Sequence, residues 1–310
     1  MNIEDISPRI YDERQLKAIT GLSVEQFYTI LPIFDRFIVE EKENNKKDKV
    51  KPDNGNIGKL ETSTDKLIFF LYYLKCYPTF DQLGFNFSMN KSCAHTWIYK
   101  IFPVFTKTLS HLNVLPKTEF KTPEEMKAVF KGVDSLIIDV TERVIQRPQD
   151  AIKQTDHYSG KKKRHTIKNT VIATLDFTIL YIGCTFSGKN HDYGMFKKEF
   201  NTKLNWFNDF NILIDLGYKG FDKNYTAKNI YMPHKKSNKS KNNPNPQLSQ
   251  LQKDENREMS RKRVIVENVI GGMKRYRCLV DRFRNHIPFV KDLTILLAAG
   301  IWNFNIINRS

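Results

Sequence analysis

Residues 135–150 read SLIIDVTERVIQRPQD. Leu136, Ile137 and Ile138 are three successive apolar β-formers. That run is too continuous for a strand with one wet face, and it describes a strand buried on both sides. It stops at Asp139, with Thr141 and Glu142 just behind. One acid in such a place fits a turn signal, a salt-bridge partner or a catalytic ligand equally well. The pattern recurs at 212–215, ILID, where Asp215 closes a second apolar run. Acids at the carboxyl edges of buried strands lie where open α/β sheets place their ligand crevices. Two of them, on strands that can be neighbours, point to one shared site.

A third carboxylate comes from SRKRVIVENVIGGMKRYR at 260–277. Helical spacing turns Ile265, Val269 and Met273 toward a core and sets Arg263, Glu267, Gly271 and Lys274 on another stripe. The plain alternative for Glu267 is an intrahelical pair with Arg263. Cation before acid is the weaker order, and such a pair contributes only about 0.2–0.5 kcal/mol even when favourable. Three carboxylates brought together repel, and at least one pKa rises unless cations compensate. Oxygen-only ligands select hard ions, so Mg2+, with Mn2+ as a substitute, is the expected cofactor. Two such ions about 3.5–4 Å apart suit in-line phosphoryl displacement.

The 310 residues carry a formal net charge of +16, and 40% of them are hydrophobic. That is enough for a substantial core, in one large domain plus a smaller one or in two of similar size. The basic excess favours a polyanionic partner, nucleic acid before a membrane surface, over a protein that is merely basic. Cys76, Cys93, Cys184 and Cys278 are far apart and form no CxxC or Cys/His cluster. They argue against a zinc site or disulfide framework and fit reduced thiols. MNIEDISPRI is polar and acidic, unlike a signal peptide. LIFFLYYLKCY at 67–77 is too short to cross a bilayer, and LTILLAAGIWNFNIIN at 293–308, also shorter than a span, reads as a buried terminal helix. A soluble protein with no membrane partner is expected.

Residues 11–38 place Phe27, Ile30, Leu31, Phe34 and Ile38 at helical spacing. The next stretch, EEKENNKKDKVKPDNGNIGKLETS at 40–63, lacks apolar periodicity and reads as a solvated loop or linker. Three helical pieces follow. Residues 66–77 end at Pro78, residues 79–87 open on Thr79 as cap, and residues 91–102 have Asn90 as N-cap and Pro103 at their end. With the turn SMN between the last two, this is a helix-turn-helix plan. Ala94, Ile98 and Ile101 form the buried stripe of the second helix, so Lys91, Ser92, His95, Thr96, Tyr99 and Lys100 face out. These types bond bases and phosphates. An ordinary helical hairpin has the same pattern; the charge balance tips the reading toward DNA.

Beyond about residue 130 the period shortens to β runs at 136–140, 165–175 and 178–186, then HDYGMFKKEFNTKL reads as helical and NILIDLGYKG as a strand entering a glycine turn. HKKSNKSKNNPNPQ at 234–247 reads as mobile and precedes a helix from about 247 to 279. Strands with intercalated helices describe an α/β or α+β catalytic domain. Asp134, Asp209 and Asp222 read as solvated acids flanking strands, and Asp176 as part of a hairpin turn.

In order, IIDVTE…QRPQD, HYSGKKKRHTIKNTVI, HDYGMF, LIDLGYKG and SRKRVIVENVIGGMKRYRCLVDRFRN resemble the successive blocks of DDE-superfamily insertion-sequence transposases, in the insertion-sequence-five branch related to PIF/Harbinger elements. The resemblance covers about residues 60–305, including YPTFDQLGFNFSMNKSCAHTWI. It implies an RNase H-like core, a mixed sheet flanked by helices, preceded by an all-α helix-turn-helix region. The division expected is 1–58 for a helical segment and charged linker, 59–125 for the DNA-binding domain and 126–310 for the catalytic domain. Asp139, Asp215 and Glu267 match the family's metal-binding acids. Val140 departs from the small residue, commonly glycine, found between the first acid and Thr-Glu.

The same resemblance implies supporting roles. Glu142, on a turn after the strand, would brace the site by pairing with Arg143, Arg147 or Lys163. His191 opens a helix, where a capping or core role is expected ahead of the alternative, that it lies near the site and positions a phosphate or water. Lys161, Lys162, Lys163 and Arg164 read as a solvated charge run or, in a DNA-cutting enzyme, as a phosphate clamp, and Arg263 and Lys274 would follow a DNA backbone. The expected function is a DNA transposase that binds terminal inverted repeats and catalyses metal-dependent strand cleavage and strand transfer. It would act as a homodimer or larger assembly on double-stranded DNA in the nucleoid-associated cytoplasm of a prokaryote. A nuclease that cuts without joining and a domesticated, silent DNA-binding protein are the alternatives.

Overall fold

The computed structural model describes residues 10, 12–47, 60–238 and 244–309. Internal packing divides the chain into two compact units, Met1–Leu115 with Met273–Phe283 and Leu293–Ser310, and Pro116–Gly272 with Arg284–Asp292.

In the first unit, α1 (Glu13–Thr20) is capped by Asp12 and stops at Gly21, whose φ of 83° is the left-handed conformation that glycine adopts freely. Helix α2 (Val24–Lys47) buries Phe27, Ile30, Phe34 and Ile38. It continues through residues 40–47, where a linker is expected. Glu40, Glu41, Lys42 and Glu43 are good helix formers, and extending an existing helix needs no apolar face. Residues 48–59 of that expected linker lie outside the described residues.

Helix α3 (Ser63–Cys76) opens on a Thr62/Asp65 capping box and ends in left-handed Tyr77, just before Pro78. Thr79 caps α4 (Phe80–Asn86) and Asn90 caps α5 (Lys91–His111), where Asn90 accepts the Cys93 N–H at 2.7 Å. Between them the chain folds back onto Gly84. A Cβ there would meet the Met89 carbonyl oxygen at 2.5 Å, so the turn requires glycine. Pro103 does not end α5. It sits exposed inside the helix, which loses one hydrogen bond and carries on to His111.

The second unit contains α6 (Pro123–Val129), β1 (Ser135–Val144), α7 (Ala151–His157), β2 (Tyr158–Ser159), β3 (Arg164–Ala173), β4 (Ile179–Ile182), β5 (Phe186–Ser187), α8 (Asp192–Glu199), β6 (Phe207–Leu213), α9 (Phe221–Asn224), β7 (Ala227–Tyr231) and α10 (Gln250–Met273). The sheet order is β2-β3-β1-β6-β7, with β4 and β5 also on β3. Strand β1 runs antiparallel to β3 but parallel to β6, and β6 runs parallel to β7. An antiparallel half continued by a helix-connected parallel half is the mixed sheet of an RNase H-like core.

Both apolar runs are buried on both faces, Leu136, Ile137 and Ile138 at 2% exposure or less and Ile212, Leu213 and Ile214 at 3% or less. Leu136, Ile138 and Ile212 pack on Phe196 and Phe200 of α8, with Phe207, Tyr218 and Phe221 beside them. Strand β1 is longer than its apolar run. It passes through Asp139 and Glu142 to Val144, so Asp139 is mid-strand and Glu142 is on the strand, not on a following turn. The extension is hidden in sequence because its inward side is polar. Thr141 and Arg143 are buried, and the Arg143 guanidinium donates to Asn169 Oδ1 at 2.9 Å and the Lys291 carbonyl at 3.1 Å.

Helix α10 stops at Met273, short of the expected 279, and a 3-10 turn, Arg277–Leu279, follows. The terminal helix α11 (Pro288–Ile307) is long and apolar enough to cross a membrane by length and composition, yet most of it is buried. From Leu293 it belongs to the helical unit, where Ile295, Leu297, Ala298, Ile301 and Phe304 enter the core. The helical unit therefore includes α1, α2 and most of α11.

Candidate active site

The parallel pairing of β1 with β6 ends at Ile137 and Leu213. Asp139 and Asp215 each lie two residues farther along, at matching levels, where the sheet parts. Thr170, opposite Val140, gives its carbonyl to the Gly183 N–H at 2.8 Å, so the Val140 N–H points to the side that β6 has left. Asp139 Oδ1 accepts that N–H at 2.8 Å. Asp215 caps a 3-10 turn, Leu216–Tyr218, by accepting the Gly217 N–H on Oδ1 at 2.8 Å. Both carboxyls are half-buried, and the second oxygen of each makes no hydrogen bond among the described residues.

Burial pushes the Asp139 carboxyl from its ordinary 3.8 up to about 6. The Val140 N–H pulls it back, the Asp215 charge raises it further, Arg263 lowers it and Asp192 raises it. The pocket thus holds more negative charge than its own cations offset.

Arg263 comes from α10, which packs through Val266, Val269 and Met273; Val266 takes the place expected for Ile265. Glu267 follows Arg263 by one helical turn, and its side chain is exposed. Lys274 falls beyond the last turn of α10, off the stripe expected for it. Among the described residues no three His, Cys, Asp or Glu side chains form a metal-holding group. Asp139 and Asp215 stand close enough for the charge of one to raise the other, and Glu267 follows on α10 one turn beyond Arg263, whose charge reaches Asp139. Two neighbouring carboxylates, each with a spare oxygen and short of positive charge, are a donor set that suits a hard divalent cation.

Asp192 is a further acid at this site, which the sequence shows only as a helix opener. It accepts from Lys168 Nζ at 2.9 Å, and the same ammonium donates to the Asn190 carbonyl at 2.9 Å. His191 occupies the N-cap position of α8, but makes no capping bond and is exposed, so it is neither cap nor core. Glu142 accepts the Thr166 hydroxyl at 2.5 Å. Arg147 donates to Gln154 Oε1 at 2.8 Å, and Arg143, the next residue along the strand, is buried on the opposite face. The Tyr218 ring is buried under the site, and burial followed by the Asp139 charge raises its hydroxyl. Lys161, Lys162 and Lys163 are exposed in the β2–β3 turn, and exposed Arg164 starts β3.

In the helical unit, Ala94, Ile98 and Ile101 are fully buried, as their spacing predicts. Lys91, Ser92, His95, Thr96 and Lys100 are exposed and Tyr99 half-buried. Lys91 pairs with Asp81 at 3.3 Å, and the His95 ring lies 4.5 Å from that of Tyr99.

The sequence matches the family described as DDE superfamily endonuclease over residues 138–303, and the helix-turn-helix of DDE superfamily endonuclease over residues 58–111. It is 28% identical over 295 residues to a protein of Microchaete diplosiphon named probable transposase for insertion sequence element IS702, covering 94% of this chain and 95% of that one. No solved structure matches.

Proposed function

Because this chain belongs to the DDE superfamily of endonucleases, we propose that it is an insertion-sequence transposase that binds terminal inverted repeats and catalyses metal-dependent cleavage and strand transfer. The observation that supports this most is the placement of Asp139 and Asp215 at the parting of β1 from β6. Their spare oxygens would hold Mg2+ or Mn2+, with Glu267 of α10 as third ligand. When bound, such an ion supplies Lewis-acid polarisation of a phosphate oxygen.

The remaining work falls to the chain itself. Asp139 must give up the proton it keeps to about pH 6 before it can act as a ligand, so metal affinity rises from acid toward neutral pH. Arg263 offsets part of the acids' charge. The exposed cations at 161–164 contact phosphates and hold register without reading sequence. The outward residues of α5 supply recognition of the repeat. Both ends of an element are processed together, so the working form is a homodimer or larger assembly on double-stranded DNA.

The test is a cleavage and joining assay on labelled duplex carrying the element's ends, with Mg2+ or with EDTA. It compares wild type with Asp139→Asn, Asp215→Asn and Glu267→Gln. Metal-dependent nicked and joined products lost in all three variants, with duplex binding retained, support the assignment. Cleavage without joining would make the protein a nuclease, and binding by every form with no product from any would leave only a DNA reader.

A further inference from the structure

Part of the outward face of α5 borders a pocket. His95, Thr96, Tyr99 and Lys100 look into a cavity of about 880 Å³ walled by α2 and the start of α3. That size lies within the range of small-molecule sites, about 300–1,000 Å³. Its lining pairs aromatic rings with lysines. Trp97 has Lys66 Nζ at 5.5 Å and Lys100 Nζ at 5.9 Å from its ring centre.

Lys66 is the unusual member. It is 3% exposed, and its ammonium donates only to the Glu61 and Thr62 carbonyls, at 2.8 and 3.0 Å. Among the described residues no carboxylate pairs with it. Burial and the charge of Lys42 both push its pKa down. Of the two acids on the cavity wall, Glu41 is held by Lys107 at 3.7 Å and Glu61 is exposed. Asp65 and Asp35 offset part of this positive charge; an anion between Lys42 and Lys66 would offset more of it, and aromatic faces beside it suit a base, since every base has a face to stack.

We propose that this cavity is a nucleotide pocket, taking one unpaired nucleotide of a bound DNA strand with its phosphate toward Lys42 and Lys66 and its base against Trp97 and Tyr99. The proposal rests on the reading of the helical unit as a DNA reader and deepens it: the unit holds an opened strand as well as a duplex. Unpaired nucleotides arise where ends are frayed, nicked or extruded, which is where strand cutting takes place.

The full-length protein is titrated, with anisotropy detection, against a labelled oligo-dT strand of about 12 nucleotides and a blunt duplex of the same length. Deoxythymidine 5′-phosphate serves as competitor, for wild type, Lys42→Ala and Trp97→Leu. Each substitution is expected to weaken strand binding about tenfold while changing duplex binding less than about twofold. Millimolar deoxythymidine 5′-phosphate is expected to displace the strand from wild type. Lys42 is exposed, so its variant keeps the fold even if Trp97→Leu does not. Equal losses on strand and duplex, no loss on the strand, or no displacement by the free nucleotide would overturn the pocket. Failure of wild type to bind either DNA would instead sink the DNA-reader reading itself.

Discussion

Replacing Asp139 by Asn removes a charge that the fold holds at a cost. A carboxyl moved from 3.8 to about 6 destabilises the folded state by about 3 kcal/mol once it is ionised. The sign follows from the direction of the shift. Below pH 3.8 the group is protonated in both states and costs nothing. Between pH 3.8 and 6 the unfolded chain ionises first, so stability falls as pH rises, and above pH 6 the loss is complete and constant. Asn keeps an acceptor for the Val140 N–H but gives up its charge-assisted bond, which returns about 1 kcal/mol of the gain. The variant should therefore be more stable by about 2 kcal/mol at pH 7.5, or about 4–8 °C for a unit of this size. Paired melts of wild type and variant in EDTA, from pH 4 to 8, measure the difference directly. A gain that grows to about pH 6 and then levels is expected, and Mg2+ should raise the wild-type melting temperature but not the variant's. A variant no more stable than wild type at pH 7.5, or a gain undiminished at pH 4, would refute the claim that this carboxylate is held against its own charge.

Glu199 should behave alike on a shifted window. Its carboxyl, pushed from 4.5 up to about 7 by burial, sits against Gly183 with Cys184 Sγ at 3.9 Å. Stability lost between pH 4.5 and 7 should be recovered by Glu199→Gln, seen as a flatter melting profile over that interval. Gly84→Ala should cost about 1–3 kcal/mol and weaken duplex binding, because the added Cβ meets backbone at Met89 that cannot yield. Thermal melts alongside anisotropy titrations check both effects.

What the sequence discloses and what it hides follow physical lines. Thr79 and Asn90 announce their helices because a cap is a local bargain between one side chain and nearby amides. Leu136–Ile138 and Ile212–Ile214 announce buried strands because both faces are apolar. The continuation of β1 is silent because Thr141 and Arg143 are buried by partners far along the chain, among them Asn169 and the Lys291 carbonyl. Pro103 misleads for the opposite reason, since packing of Phe102, Val104 and Phe105 outweighs one lost hydrogen bond. In the site, Asp139 and Asp215 are legible as acids that close apolar runs, though Asp139 stands mid-strand, and their matching level emerges only from the β1–β6 register. Asp192 could not be assigned to the site in advance, because its link to Lys168 depends on how α8 returns to the sheet.

Asp215 serves two masters at once. One oxygen fastens the turn that carries Tyr218 into the core, while the other makes no hydrogen bond among the described residues and is the one we propose meets the ion. Losing the reaction and losing the fold are therefore separable here only along certain mutational routes. Asn, Ser or Thr can still receive the Gly217 N–H, whereas Ala leaves that amide unanswered and frees the tyrosine's anchor. In a copy drifting toward silence, decay at this position has a grain: it runs first through the residues that keep the turn tied.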